Sequence, residues 1–299
     1  MSGQQVVRSW VRCTVATACC FLLPLLAGCE QSHPVQLSLR LSGAFPVQTL
    51  QVLPQRAELI DEAGRLHVLD LSAAGALLFD PAGGKDVLPV SDVIALPAGR
   101  YTGLRLQFAD GALLTLPDGT PYLLTQLRTQ FTSEIDLRLG DVGSPAITLV
   151  MDLKFSLADQ RSRTGTFDMA PSVQAVNPAT AGFVSGQLAA ALVEQADCSH
   201  EHAPGEGLAV YAYAGGESAV RDFDMAVQPR PVASALATAA NEGSLYAYAL
   251  PPLAPGNYTL AYTCQADEDD PSRTDAVAFS GSRVIRVGAG QRLVVSFAE

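Results

Sequence analysis

Ala146-Ile147-Thr148-Leu149-Val150-Met151-Asp152-Leu153-Lys154-Phe155-Ser156-Leu157 sets an apolar residue at six successive odd positions, with Thr148, Val150, Asp152, Lys154 and Ser156 between them. Successive side chains of a β-strand point to opposite faces, so a period of two marks a strand with one buried face and one solvated face. The same alternation runs through Val35, Leu37, Leu39 and Leu41, through Leu104, Leu106 and Phe108, and through Phe131, Ile135, Leu137 and Leu139. Pro81-Ala82-Gly83-Gly84, Asp110-Gly111, Pro117-Asp118-Gly119 and Gly143-Ser144-Pro145 separate these segments as turns. The pattern predicts an all-β chain of antiparallel strands. Only Val90 to Ile94 and the alanine-rich stretch 187–197 suggest short helices.

The amino terminus reads differently. Residues 1–12 are polar and carry Arg8 and Arg12, while residues 13–28 are uncharged and mostly apolar. These are the two leading regions of an export signal. The apolar run contains Pro24 and is shorter than the roughly 20 residues that a spanning helix needs. Leu26-Ala27-Gly28-Cys29 resembles the lipobox of bacterial lipoproteins. The resemblance implies cleavage after residue 28 and acylation of Cys29. Two acyl chains anchor stably where one does not, each buried methylene contributing about 0.8 kcal/mol. Residues 29–34 are then a short lipidated tether. Glu30 stands where an aspartate would signal inner-membrane retention, which favours the outer membrane, on its periplasmic face or its surface.

Charge and cysteine content narrow the function. The 299 residues carry a net charge of −11, and loss of Arg8 and Arg12 with the signal takes it to −13. Such a surface repels phosphate backbones and anionic headgroups, so no nucleic acid is expected as partner. Of six cysteines, Cys13, Cys19 and Cys20 leave with the signal and Cys29 is acylated. Cys198 and Cys264 remain, and in an exported protein they are expected to form a disulfide, two separate thiols being the alternative. Closing that loop would add roughly 4 kcal/mol.

About 270 mature residues suggest two domains. The boundary is expected near Asn177-Pro178-Ala179-Thr180-Ala181-Gly182, giving domains at 35–177 and 182–299. Phe167 to Val176 would be the last strand of the first, and Gly182 to Gly186 would open the second. Leu96-Pro97-Ala98-Gly99-Arg100-Tyr101-Thr102 and Leu253-Ala254-Pro255-Gly256-Asn257-Tyr258-Thr259 are one motif used twice. Each sets a tight turn before a tyrosine whose ring can cover a core while its hydroxyl reaches a backbone group, as in a tyrosine corner.

On the first of these motifs, extended through Gly103-Leu104-Arg105-Leu106 and the hairpin at Asp118-Gly119, residues 35–177 resemble a family of uncharacterised bacterial lipoproteins known as a domain of unknown function. That resemblance implies a β-sandwich and no known activity. The second half resembles carboxypeptidase-regulatory and collagen-adhesin-B sandwiches. The resemblance rests on Gly182-Phe183-Val184-Ser185-Gly186, Asn241-Glu242-Gly243, Leu245-Tyr246-Ala247-Tyr248 and Pro255-Gly256-Asn257-Tyr258. It implies a stalk or a binding accessory. The isopeptide-forming members need a lysine, and none lies beyond Lys154. The expected architecture is therefore two β-sandwiches, immunoglobulin-like or transthyretin-like.

No catalytic residue is expected. Nucleophilic hydrolysis needs an activated serine or cysteine beside a base. The chain lacks a Gly-x-Ser-x-Gly elbow, a zinc-protease helix, a P-loop and a dinucleotide fingerprint. His33 falls in the tether, His67 in a strand, and His200 and His202 in a loop. Asp222 and Asp224 fit the solvent face of a strand. Cys198-Ser199-His200-Glu201-His202 has the donors for copper or zinc, but Cys198 is wanted for the disulfide. Asp267-Glu268-Asp269-Asp270 is too contiguous for a calcium loop and reads as a solvated acidic run. No metal and no cofactor are expected. The reading is a non-enzymatic envelope module, lipid-anchored, with a protein or glycan partner. The alternative is a lipoprotein that binds a small ligand or a calcium, copper or zinc ion. Non-reducing peptide mapping should find residues 198 and 264 in one linked species, and recovery of two free thiols would contradict the pairing.

Overall fold

The structure is a computed structural model, which describes residues 32–126, 132–140, 146–195, 207–216, 218–240 and 244–298. The export signal, Cys29, Phe131, Gly143-Ser144-Pro145, Cys198, His200, His202 and Asn241-Glu242-Gly243 lie outside these residues.

Fourteen described strands precede Asn177: β1 (Ser32–Ser42), β2 (Thr49–Val52), β3 (Pro54–Asp61), β4 (Leu66–Asp70), β5 (Leu77–Phe79), β6 (Val87–Pro97), β7 (Gly99–Phe108), β8 (Leu113–Thr115), β9 (Pro121–Gln126), β10 (Ser133–Leu139), β11 (Ala146–Asp152), β12 (Leu157–Gln160), β13 (Thr166–Met169) and β14 (Val173–Val176). Eight follow Gly182: β15 (Phe183–Ala189), β16 (Ala209–Ala214), β17 (Pro231–Leu236), β18 (Thr238–Ala240), β19 (Leu245–Ala249), β20 (Gly256–Thr263), β21 (Ser280–Val287) and β22 (Arg292–Val294). Two short helices, α1 (Arg161–Thr164) and α2 (Ala190–Gln195), complete the regular structure, and the chain is all-β in class.

The first group builds three sheets, ordered β14-β11-β1-β6, β10-β7-β3-β4 and β12-β13-β9-β8-β2-β5. Their inner faces share one core that includes Leu39, Leu59, Phe79, Leu104, Leu114 and Phe167. The second group builds two sheets, β18-β19-β15-β22 and β17-β16-β20-β21, closed over Val184, Leu188, Val210, Tyr248 and Leu260. The second group is a sandwich of two sheets, whereas the first is a three-sheet lobe. No described sheet mixes strands from the two groups, yet residues Gln31–Glu299 pack as one compact unit.

Several sequence expectations are corrected. The pairing is mixed: β1 runs parallel to β11, β9 to β13 and β15 to β22. The 146–157 alternation is broken, because residues 153–156 form a turn between β11 and β12. A turn can carry the same period by chance, since periodicity records apolar spacing and not hydrogen bonding. Val90 to Ile94 lie in β6 rather than a helix, and the 187–197 stretch is divided between β15 and α2. Phe167 to Val176 is two strands, β13 and β14, in different sheets. His33 is not in a tether but in β1, where it is buried.

Other expectations hold. In β1, Val35, Leu37, Leu39 and Leu41 are all buried, as the alternation requires. The 118–119 turn closes the β8–β9 hairpin, with Gly119 at φ 83°, a left-handed geometry that glycine adopts without steric cost. Both repeated motifs are tyrosine corners. Tyr101 donates its hydroxyl to the Pro97 carbonyl at 2.8 Å, and Tyr258 donates to Ala254 at 2.7 Å. Tyr101→Phe and Tyr258→Phe should each lower the unfolding free energy by about 1 kcal/mol, the usual net worth of such a bond. Denaturant titration measures this, and unchanged midpoints would show that the hydroxyls contribute nothing.

Candidate functional site

The second face of β11 decides what the molecule has at its centre. Residues Ile147 to Asp152 are all buried, so the face read as solvated is covered. Val150 packs with Val176 and Ala181 at the crossing from the first lobe to the second. Asp152, at the end of β11, meets Ser234 of β17. Its Oδ2 accepts the Ser234 backbone N–H at 2.6 Å, and both of its oxygens accept the Ser234 hydroxyl at 2.9 Å. The same hydroxyl oxygen accepts the Ala44 N–H at 2.8 Å. The Lys154 N–H donates to Asp152 Oδ1 at 3.0 Å. Gly43 makes room for this carboxylate: its φ is 111°, and a Cβ there would lie 2.2 Å from Asp152 Oδ1.

The turn at 153–156 then carries Lys154 and Phe155 against the second lobe. Phe155 stacks on Phe223 with ring centroids 4.6 Å apart and meets Tyr211 edge-on at 5.0 Å. Ala44, Ala209, Tyr213 and Ala266 complete this separate apolar cluster. Tyr211 donates its hydroxyl to Asp269 Oδ2 at 2.7 Å, and Asp269 Oδ1 is buried with no hydrogen-bond partner among the described residues. Lys154 is only 7% exposed. Burial lowers the pKa of its amine, while the negative charges of Asp269, Asp267, Asp270 and Asp152 act in the opposite direction.

Asp152, Asp269, Lys154 and Tyr211 are shifted toward their neutral forms. Burial pushes the Asp152 carboxyl up to about 7 against the opposing hydrogen bonds from Ser234, Phe155 and Lys154. Burial likewise pushes Asp269 up to about 6, with the Lys154 charge opposing it. The Tyr211 hydroxyl is raised by burial and by the Asp269 charge. Taking charge out of water is costly, and an incompletely paired buried carboxyl reduces that cost by keeping a proton.

The acidic segments read from sequence are therefore corrected. Asp222 and Asp224 are buried in a loop, not displayed on a strand. Asp222 Oδ2 accepts the Asp275 N–H at 2.6 Å, and Asp224 accepts the Ala226 N–H at 2.7 Å and the Thr274 hydroxyl at 2.5 Å. The 267–270 run is not a uniformly solvated face. Asp269 points inward at 2% exposure, while Asp270 accepts the N–H and hydroxyl of Ser272 at 2.9 and 2.7 Å. His67 lies in β4 as expected and meets Asp61 at 3.1 Å, with its ring edge on Tyr101. Among the described residues, no group of three or more His, Cys, Asp or Glu side chains is disposed to hold a metal ion. Cys264 follows β20 and packs against the second core, whereas Cys198 falls outside the described residues. A recess between the lobes, lined by Glu134, Gln174, Arg230 and Phe223 among others, encloses about 50 Å³. Small-molecule sites run to about 300 Å³ and more.

Asp152, Ser234, Lys154 and Phe155 were not legible as a unit. Ser234 carries no distinguishing neighbour, and the even-numbered polar residues of 146–157 fitted a solvated face. One available signal was the continuous run Leu208-Ala209-Val210-Tyr211-Ala212-Tyr213, which is the pattern of a strand buried on both faces.

No protein-family model matches the chain, and no curated protein does. Among solved structures, a leucine-rich repeat protein from Bacteroides thetaiotaomicron aligns at 11% identity and a TM-score of 0.21, over 90% of this chain; this chain spans 26% of that one. A candidate cell adhesion protein from Bacteroides fragilis aligns at 10% identity and 0.20, covering 88% of this chain and 91% of the other. The fimbrial anchor protein from Porphyromonas gingivalis aligns at 15% and 0.18, covering 82% and 83%. At these scores none of them bears on the reading of the site.

The junction makes stability depend on pH with a definite sign. Above about pH 4, where the unfolded chain has released both protons, Asp152 holds its proton in the folded chain up to about pH 7 and Asp269 up to about pH 6, so stability falls as pH rises through that window. Asp136, which a hydrogen bond from Arg100 holds below its ordinary value, titrates beneath it. The melting temperature should be lower at pH 7.5 than at pH 5, and a rise would contradict the assignment. Ser234→Ala leaves Asp152 and the Ala44 N–H short of partners and should cost about 3 kcal/mol in denaturant titration; a neutral effect would show that water replaces the hydroxyl.

Proposed function

We propose that the chain is an envelope lipoprotein, held by lipid on Cys29, whose two lobes form a stiff, non-enzymatic binding or structural module. The single observation that carries the module reading is how the buried polar groups are used. Asp152 and Ser234 contact each other across the lobes, Lys154 and Phe155 reach from the first lobe to the second, and Tyr211 and Asp269 brace the surface they reach. The reactive side-chain types in the centre of the molecule thus have architectural partners. In this reading the lobes at 35–177 and 182–299 are domains by chain tracing that behave mechanically as one body. A disulfide between Cys198 and Cys264 fastens the second lobe.

The membrane attachment rests on the lipid alone, because a surface of net charge −13 adds no attraction to anionic headgroups. The short connection from Cys29 to β1 keeps the first lobe near the bilayer, on the periplasmic face or the surface of the outer membrane. The partner in this reading is a protein or a glycan of the envelope and not a nucleic acid. Metabolic labelling with palmitate and membrane fractionation test the anchor. The wild-type chain should carry label and sediment with the outer membrane, and Cys29→Ser should carry none and leave that fraction. Labelled, membrane-bound Cys29→Ser protein would refute the anchor.

A further inference from the structure

Each sheet of the second lobe ends in a strand that the last part of the chain supplies. β21 ends the β17-β16-β20-β21 sheet, and β22 ends the β18-β19-β15-β22 sheet. β21 is eight residues long, Ser280-Gly281-Ser282-Arg283-Val284-Ile285-Arg286-Val287, and among the described residues nothing pairs with its outer edge. Val284 is 61% exposed, and Val294 on β22 is 80% exposed. An edge of this kind is a template for an added strand.

Its charge is opposite to that of the chain. Between Asp275 and Glu299 there is no acidic residue, and Arg283, Arg286 and Arg292 are all exposed. Among the described residues none of the three forms an ion pair with a carboxylate. Arg283 and Arg292 instead lie over the rings of Phe297 and Phe183, at 5.8 and 4.7 Å. In a protein of net charge −11, this edge is a local basic stripe with apolar residues between the cations.

We propose that the β21 edge takes an extended acidic segment of a partner protein by strand addition, with β-branched residues beside Val284 and Ile285 and carboxylates beside Arg283 and Arg286. Main-chain hydrogen bonds supply the affinity in such a mode and the alternating side chains supply selectivity. Arg283 and Arg286 are three positions apart and so lie on opposite faces of the strand, which calls for an acid-apolar-apolar-acid spacing. A second copy paired edge to edge in the antiparallel register centred on Val284 and Ile285 would set Arg283 opposite Arg286, which is unfavourable. A flat anionic membrane does not use the strand edge, and the remaining surface repels it. The proposal rests on the binding-module reading above and deepens it.

The test uses the full chain extracted in detergent. The probe is a capped, labelled octapeptide, Thr-Thr-Glu-Val-Val-Glu-Thr-Thr, with Lys in place of both Glu as its control. Fluorescence anisotropy should show the acidic peptide binding at least about tenfold more tightly than the lysine peptide, and amide exchange should slow within Ser280–Val287. Arg283→Glu combined with Arg286→Glu should reverse the preference. Arg286→Glu alone, which should abolish most of it, serves if the double variant melts early. Equal binding of both peptides, no binding, or protection outside β21 would overturn the proposal. So would protection of β21 by phosphatidylglycerol vesicles but not by peptide, or protection that follows self-association. Because the Cys29→Ser fractionation reads the anchor independently, a failed strand addition leaves the envelope assignment standing, and a failed anchor leaves this edge standing.

Discussion

Ser234 and Asp152 form the contact on which the rest of the junction depends. The hydroxyl of Ser234 donates to a buried carboxyl from the first lobe and accepts the Ala44 N–H from the same lobe, so one small side chain of β17 is gripped from two directions. Gly43 exists as glycine because the carboxyl occupies the space a Cβ would fill. The turn after Asp152 then delivers Phe155 into a ring stack with Phe223 and Tyr211, and Lys154 into an acidic surround. An apolar contact alone would let the lobes slide. A buried polar contact resists sliding, because any displacement leaves unpaired donors and acceptors in a dry interior.

Most strand positions could be read from the chain because they depend on local rules. Alternation locates β1, β7 and β10, and the repeated turn-tyrosine motif locates both corners, whose hydroxyls bond four residues upstream. What could not be read depends on contacts between distant residues. The polar positions of 146–157 look the same whether water or a second lobe covers them, so Thr148, Asp152, Lys154 and Ser156 were read on the wrong side. Asp222, Asp224 and Asp269 were misplaced for the same reason: the alternate spacing of the first two suggests the solvent face of a strand and the contiguous acids of 267–270 suggest solvation, and only the fold supplies Tyr211, Thr274 and the backbone N–H groups that satisfy them. The break at 153–156 was hidden because a turn preserved the spacing of a strand.

Charge is distributed unevenly and with structural consequence. Several acids are drawn into the region around the junction, where neutral carboxyls and one buried amine reduce the cost of burial. The final strands carry arginines without acids and lie at open sheet edges. The same lobe therefore uses its acidic loop face for internal attachment and leaves its basic edge free. A module that is stiff at its centre and open at one edge can hold a partner without first ordering its own domains, which lowers the entropic cost of association.

The central claim is that the buried junction makes two separately wound lobes unfold as one. Scanning calorimetry of the mature chain in detergent tests it most directly, by comparing the calorimetric enthalpy with the van't Hoff enthalpy. A single transition with the two enthalpies equal is the predicted result. Two resolved transitions, or a van't Hoff enthalpy close to half the calorimetric value, would mean that the lobes melt independently and that the Asp152–Ser234 junction does not couple them.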